Sequence, residues 1–199
     1  AENAARHAGA RTNFTFWSGM GHVPSEVAPD LRSRSYDITA HINPTGSTGD
    51  RDGVLIAHGD ATCGYSLFVR GGHLVHDLNI GGTHQLVTSD VTIPATAATL
   101  GFRMRRAGDG PFPHGIGTLL IDGEPAGEME TDQIFWLMIS WSGLDIGLDR
   151  GTTVADYDGS GRHLGPNTYQ GDLVQVTVDL VPDQDIDHDA AGATELGRE

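Results

Sequence analysis

Apolar and polar residues alternate with period two along much of the chain. Tyr36, Ile38, Ala40 and Ile42 alternate with Asp37, Thr39 and His41. Leu100, Phe102 and Met104 alternate with Gly101, Arg103 and Arg105, and Val174, Val176, Val178 and Leu180 with Gln175, Thr177 and Asp179. Residues two apart share a face of a strand, so each run predicts a half-buried strand. The most regular stretch is Gly53 to Ile80. Val54–His58 is an apolar run bounded by glycines. Tyr65, Leu67 and Val69 then alternate with Ser66, Phe68 and Arg70, and Gly71-Gly72 leads into His73–Ile80. Paired glycines between β-rich runs predict a hairpin, because the tight turns that match strand twist need positive φ. Tyr65, Leu67 and Val69 are expected to face a core, with Ser66 and Arg70 on the other side. Phe68 shares the side of Ser66 and needs a cover: a long loop, the N-terminal arm or a partner domain.

Further strands are expected at Phe14–Trp17, Thr83–Ser89, Thr118–Ile121, Glu124–Thr131 and Leu144–Leu148, with Asp122-Gly123 as a second hairpin turn. Glycine and proline mark the segments 19–35, 43–52, 108–115 and 149–166 as loops. Ile134–Trp141 is the most apolar stretch, and its length leaves strand and buried helical turn both open. Roughly ten to twelve strands separated by turns, with no long helix, predict an all-β antiparallel β-sandwich or jelly roll. Residues 1–10 read as a linker or arm, 11–181 as one sandwich domain, and 182–199 as an acidic, disordered tail.

Composition narrows the partners. The 199 residues suffice for one domain with a sizeable core. The net charge is −15, and all 12 basic residues are arginine. Such a surface repels phosphate backbones and anionic lipid, so neither nucleic acid nor membrane is an expected partner. One cysteine, Cys63, allows no intrachain disulfide and no cysteine-based zinc site. That excludes a disulfide-stapled secreted scaffold but does not fix the compartment; a cytoplasmic setting is favoured, with periplasmic or extracellular ones open. No run is long and apolar enough for a membrane helix, and no signal-peptide pattern occurs. The chain opens on Ala rather than Met, as a fragment or a processed product would.

The order of several phrases resembles a known family. These are Arg11-Thr-Asn-Phe-Thr-Phe-Trp-Ser-Gly-Met20 with Pro24 and Ala28-Pro29; Arg34-Ser-Tyr-Asp-Ile-Thr-Ala40; Gly53-Val-Leu-Ile-Ala57; Gly64-Tyr-Ser-Leu-Phe-Val69; Thr118-Leu-Leu-Ile-Asp-Gly123; Asp145-Ile-Gly147; and Tyr169-Gln-Gly-Asp-Leu-Val-Gln-Val-Thr-Val178. In order and spacing they resemble the C-terminal accessory domain of bacterial arylsulfatases, over residues 11–181. The resemblance implies a concanavalin A/laminin G-like sandwich and, as partner, a sulfatase-type catalytic domain in cis or in trans. It implies no chemistry in this chain, because in that family the sulfuric ester hydrolase activity lies in the preceding domain.

The residues themselves agree. A sulfatase nucleophile sits in Cys-x-Pro-Ser-Arg, whereas Cys63-Gly-Tyr-Ser-Leu67 lacks the proline and the arginine. No Gly-x-Ser-x-Gly elbow, phosphate loop or dinucleotide fingerprint occurs. No catalytic residue and no cofactor is assigned. His73 and His76 point to opposite faces of one strand, and the other histidines are scattered, so no zinc motif is present. Asp149, Asp156 and Asp158 share a glycine-rich loop whose oxygens suit calcium, against the plainer reading of a solvated acidic loop. Trp17, Trp136, Trp141 and Phe68 are the candidate contact residues. As exposed aromatics they would stack a carbohydrate or pack on a partner domain; as buried ones they would belong to the core. The alternative to an accessory domain is therefore a free-standing carbohydrate-binding, lectin-like module. An enzyme acting on glycosides ranks last, because it would need a carboxylate pair that no strand motif here supplies.

Overall fold

The computed structural model describes residues 11–44, 51–108, 113–136 and 139–186. In chain order they form β1 (Asn13–Trp17), a 3-10 turn (Ser25–Val27), β2 (Tyr36–Ile42), β3 (Gly53–Asp60), β4 (Cys63–Arg70), β5 (His73–Ile80), β6 (Thr83–Thr88), β7 (Thr99–Ala107), β8 (His114–Ile121), β9 (Glu124–Thr131), β10 (Leu144–Ile146) and β11 (Leu173–Leu180). One sheet has the order β1-β11-β2-β7-β8-β9 and the other β10-β3-β4-β5-β6. Every neighbouring pair is antiparallel. The fold is an all-β antiparallel sandwich, as the alternation predicts. Among the described residues no helix is long and apolar enough to cross a membrane.

The alternating positions enter one core between the sheets. Ile38, Ala40, Leu100, Phe102, Met104, Val176 and Val178 from the six-stranded sheet meet Tyr65, Leu67, Val69, Leu74 and Leu78 from the other. Each fully buried aliphatic or aromatic side chain contributes about 1.5–3 kcal/mol relative to exposure. The β1 and β10 edges are joined by the 18–28 segment. Val23 exchanges two backbone hydrogen bonds with Leu144, at 2.9 and 2.8 Å. This crossing places the 3-10 turn beside the loop that precedes β10.

β3, β4 and β5 are buried on both faces. Their outer face is covered by the 149–163 segment, which forms a second apolar cluster of Val54, Ala57, Phe68, Val75, Val154, Ala155 and Tyr157. Phe68 meets Tyr157 edge-on at 4.8 Å between ring centroids. The cover that Phe68 requires is thus a long loop of its own chain.

Four expectations need correction. β8 begins at His114, inside a segment whose glycines predict a loop. Those glycines make room for neighbours: a Cβ at Gly115 would lie 2.7 Å from Met104 Sδ, and one at Gly117 2.6 Å from Phe102 Cζ. The described part of 134–141 is neither strand nor helix. β10 ends at Ile146, because Gly147 turns the chain with φ +74°. Finally, the tail does not start at 182. Asp183, Gln184 and Asp185 hydrogen-bond to Ser35, Arg34 and Arg106 on the sandwich. The linker 1–10 and the tail from 187 lie outside the described residues.

Candidate functional site

Trp141 sits at the tip of the loop that leads into β10, and its side chain is 63% exposed. An indole this exposed on a slack loop would lose much entropy on binding anything. This loop is pinned on two sides. On one side, Asp60 at the end of β3 accepts hydrogen bonds from both serines that flank the tryptophan, Ser140 Oγ and, at 2.7 Å, Ser142 Oγ. It also accepts from Thr62 N at 2.8 Å and Thr62 Oγ1 at 2.6 Å in the β3–β4 turn. Partial burial pushes the Asp60 pKa up, but the hydroxyls of Ser140, Thr62 and Ser142 outweigh it and hold the carboxyl well below its usual range.

The 3-10 turn supplies the other side. Ser25 Oγ donates to Ser140 O at 2.8 Å and accepts from Gly143 N at 3.1 Å. Gly143 has φ +75°, and a Cβ there would lie 2.4 Å from His22 Nε2 and 2.6 Å from Val23 O, so only glycine fits. His22 is itself held by a 2.9 Å contact from Nδ1 to the buried carboxylate of Asp145. Ser25 Oγ also lies 3.1 Å from His58 Nε2. This is not a nucleophile with its base. The hydroxyl already bonds Ser140 O, and burial, reinforced by His22 and opposed by Asp30, lowers the His58 pKa to about 4.

The other predicted contact residues are placed separately. Trp17 ends β1, opposite Gln175 of β11, with its side chain outward and 59% exposed. Ser18 N donates to Val174 O, which brings the half-exposed Val174 beside it. Trp136 is half-buried and follows Phe135, whose ring lies 6.3 Å from that of Tyr65. Phe68, expected to face a ligand or a partner, is instead buried beneath Tyr157.

The expected calcium carboxylates are not gathered together. Asp149 is buried, accepting from Tyr157 Oη at 2.6 Å and Val154 N at 2.9 Å. Asp156 and Asp158 are turned to the surface and cap the backbone of Ser160 and Gly161. Among the described residues no group of three or more His, Cys, Asp or Glu side chains is arranged to hold a metal ion. Cys63 is a half-buried residue opening β4, and burial pushes its thiol pKa up, away from the reactive thiolate.

The clamp on Trp141 escapes sequence reading because its parts lie 80 residues apart in the chain. The signals that could have found it are local: a serine on each side of one tryptophan, and Asp60-Ala-Thr62 as an Asx-type turn.

No protein-family model and no curated protein matches the chain. Among solved structures it is similar to domains LG4-5 of the mouse laminin α1 chain, at 14% identity over 88% of this chain and 44% of that one, with a TM-score of 0.46. A SAP-like pentraxin from Limulus polyphemus gives 16% identity over 85% of this chain and 75% of that one, with a TM-score of 0.39. The receptor-binding domain of a botulinum neurotoxin C/D mosaic gives 10% identity over 94% of this chain and 43% of that one, with a TM-score of 0.45. The chain thus spans under half the length of the laminin fragment. The description of the fold rests on the two sheets themselves, and these neighbours say nothing about a ligand.

Proposed function

We propose that this chain is a non-catalytic recognition module that holds a carbohydrate against Trp141. The observation that carries this reading is the pairing of high exposure with a fixed backbone: the indole projects while Asp60 and Ser25 grip the residues around it. A sugar ring offers one apolar C–H face and a rim of hydroxyls. The indole suits the face, and the hydroxyl oxygens of Ser142 and Thr62, whose protons go to Asp60, keep lone pairs that can accept from sugar hydroxyls. The loop pays little entropy on binding because it is already ordered. Screening a panel of neutral oligosaccharides by NMR against the full chain and Trp141→Ala tests the reading. Ligand-induced shifts centred on residues 60–62 and 140–143, lost in the variant, are expected. Binding that survives the substitution would overturn it.

A second reading is favoured by the order of the motifs between Arg11 and Val178, which resembles the arylsulfatase accessory domain. There the module would pack on a sulfatase catalytic domain or shape access to it, through the small apolar patch of Trp17 and Val174 on the β1–β11 edge. A Cys-x-Pro-Ser-Arg or serine equivalent upstream in the same reading frame would support it. So would loss of association with such a domain in Trp17→Ala. In either reading the chain itself turns over no aryl sulfate.

A further inference from the structure

In a chain of net charge −15, three arginines gather on one rim of the sandwich: Arg32 and Arg34 ahead of β2, and Arg106 near the end of β7. The irregular segment that follows β11, bent at Pro182, lies across them. Val181 N donates to Ser35 O at 2.9 Å, one step beyond the β11–β2 ladder, and Asp185 N donates to Ser33 O at 3.2 Å, so the segment is tied to the rim by its backbone at both ends. Its side chains are read one by one. The Asp183 carboxylate takes Ser35 N at 2.8 Å and Ser35 Oγ at 2.6 Å. Gln184 Oε1 accepts from Arg34 at 2.6 Å, while its amide donates to Arg32 O at 2.9 Å and Asp30 Oδ2 at 3.2 Å. Asp185 accepts one hydrogen bond from Arg106 at 3.2 Å.

This occupant fits the register of the rim but does not exhaust its donors. Arg32 already forks onto Asp30, at 2.8 and 3.0 Å, whereas Arg34, though near the charges of Asp30 and Asp183, hydrogen-bonds a neutral amide. The Nε atoms of Arg34 and Arg106 are buried without a hydrogen-bond partner. Asp185 engages Arg106 through one oxygen, with its own side chain 71% exposed. Guanidinium forks are best matched by carboxylates that take two parallel hydrogen bonds. Withdrawing the segment would leave the Arg32–Asp30 pair intact and remove the Gln184 and Asp185 acceptors from Arg34 and Arg106.

We propose that this rim is a docking surface for an extended acidic peptide, and that residues 183–186 are a competitor held there in cis. The tether keeps the cis segment at a millimolar-scale effective concentration, so a partner peptide gains access only when it pairs the arginines better. This does not depend on the carbohydrate reading, since Trp141 contributes nothing to the rim.

The probe is a synthetic hexapeptide of residues 181–186, titrated by calorimetry into the full chain. Asp183→Ser with Asp185→Ser is expected to bind it at least tenfold more tightly than the unsubstituted chain. Adding Arg34→Gln and Arg106→Gln is expected to abolish that binding. Asp185→Ser alone, at an exposed position where folding is safe, should give a smaller gain in the same direction. Trp141→Ala should leave all these values unchanged. Equal binding with and without the cis segment, or no binding by any variant at millimolar peptide, would overturn the proposal. So would binding of a heparin hexasaccharide to the opened rim in place of the peptide, since it would assign the rim to sulfated glycans.

Discussion

His76 of β5 lies flat against Phe102 of β7, with ring centroids 3.5 Å apart and planes 3° from parallel. The contact joins the two sheets at the centre of the core, where both residues are 0% exposed and neither imidazole nitrogen has a hydrogen-bond partner. Burial lowers the His76 pKa from 6.5 to about 3, so the folded chain holds the ring neutral.

Acid should therefore destabilise the fold through this residue. As pH falls below 6.5 the unfolded chain takes up a proton that folded His76 refuses. The stability is complete above 6.5 and drains away as pH falls toward 3. At about 1.4 kcal/mol per pH unit below 6.5, the loss between pH 7.5 and 4.5 is about 3 kcal/mol. His76→Leu is expected to remove that part of the acid sensitivity, measured by urea unfolding at pH 7.5 and 4.5. His58, held neutral by its own burial, continues to contribute in the variant. A variant as acid-sensitive as the parent would clear His76 of this role.

The register of β4 makes a second expectation. Leu67 is fully buried between the sheets, opposite His76 across the ladder. Leu67→Ala should cost about 2–5 kcal/mol in equilibrium unfolding. Ser66 points the other way, beneath the 149–163 segment rather than into water. Its hydroxyl lies opposite the buried Asp77 and beside Tyr157 without making a hydrogen bond of normal geometry, so Ser66→Ala should change stability by no more than about 0.5 kcal/mol. The reverse ranking would mean that the strand is slipped by one residue.

These residues also show what the sequence can and cannot convey. Alternation exposes a strand whenever one face meets water, and so β2, β7 and β11 are legible. β4 is legible through Tyr65, Leu67 and Val69, but its other face is buried too, and only Phe68 betrays that. The first half of β8 is hidden because Gly115 and Gly117 surrender their volume to Met104 and Phe102, so the residues that reveal the packing lie on the neighbouring strand. The site follows the same rule. Trp141 is conspicuous in the sequence, but the clamp that makes it a platform comes from Asp60 and Ser25, brought to it only by the antiparallel pairing of β10 with β3 and the bridge from Val23.

The clamp can be tested apart from the platform. Trp141→Ala should leave stability within about 0.5 kcal/mol, because the side chain packs on little, while removing carbohydrate binding. Asp60→Ala keeps the indole but frees Ser140 and Ser142, and should weaken binding roughly tenfold by adding an ordering cost. The Asp60 pKa is depressed, so the clamp persists from neutral pH down through the ordinary carboxylate range and opens only in stronger acid. Carbohydrate titrations with the parent chain at pH 7 and 5 should agree. Matching affinities for the parent and Asp60→Ala would show that the clamp does not matter.

The 149–163 cover gives the last prediction, with the opposite pH sign to that of His76. Burial is the main cause that raises the Asp149 pKa to about 6; Tyr157 and Val154 oppose it by hydrogen bonding, and the charges of Asp145 and Asp60 add to it. The folded chain therefore binds this proton more tightly than the unfolded chain, whose carboxyl titrates near 3.8. The difference favours folding most at acid pH and is lost as pH rises through about 6. By pH 7.5 the ionised carboxylate costs about 3 kcal/mol relative to a neutral group of the same shape. Asparagine is that group. One Asp149 oxygen accepts from both Tyr157 Oη and Val154 N, so the amide oxygen of Asp149→Asn can keep both bonds. The variant should equal the parent near pH 4 and exceed it at pH 7.5. Phe68→Ala, beneath the same cover, should cost about 3–5 kcal/mol in the isolated chain, because its packing partner is Tyr157 and not another protein. A stable Phe68→Ala chain, together with a pH-independent gap between parent and Asp149→Asn, would mean that the 149–163 segment does not seal this face of the sheet in solution.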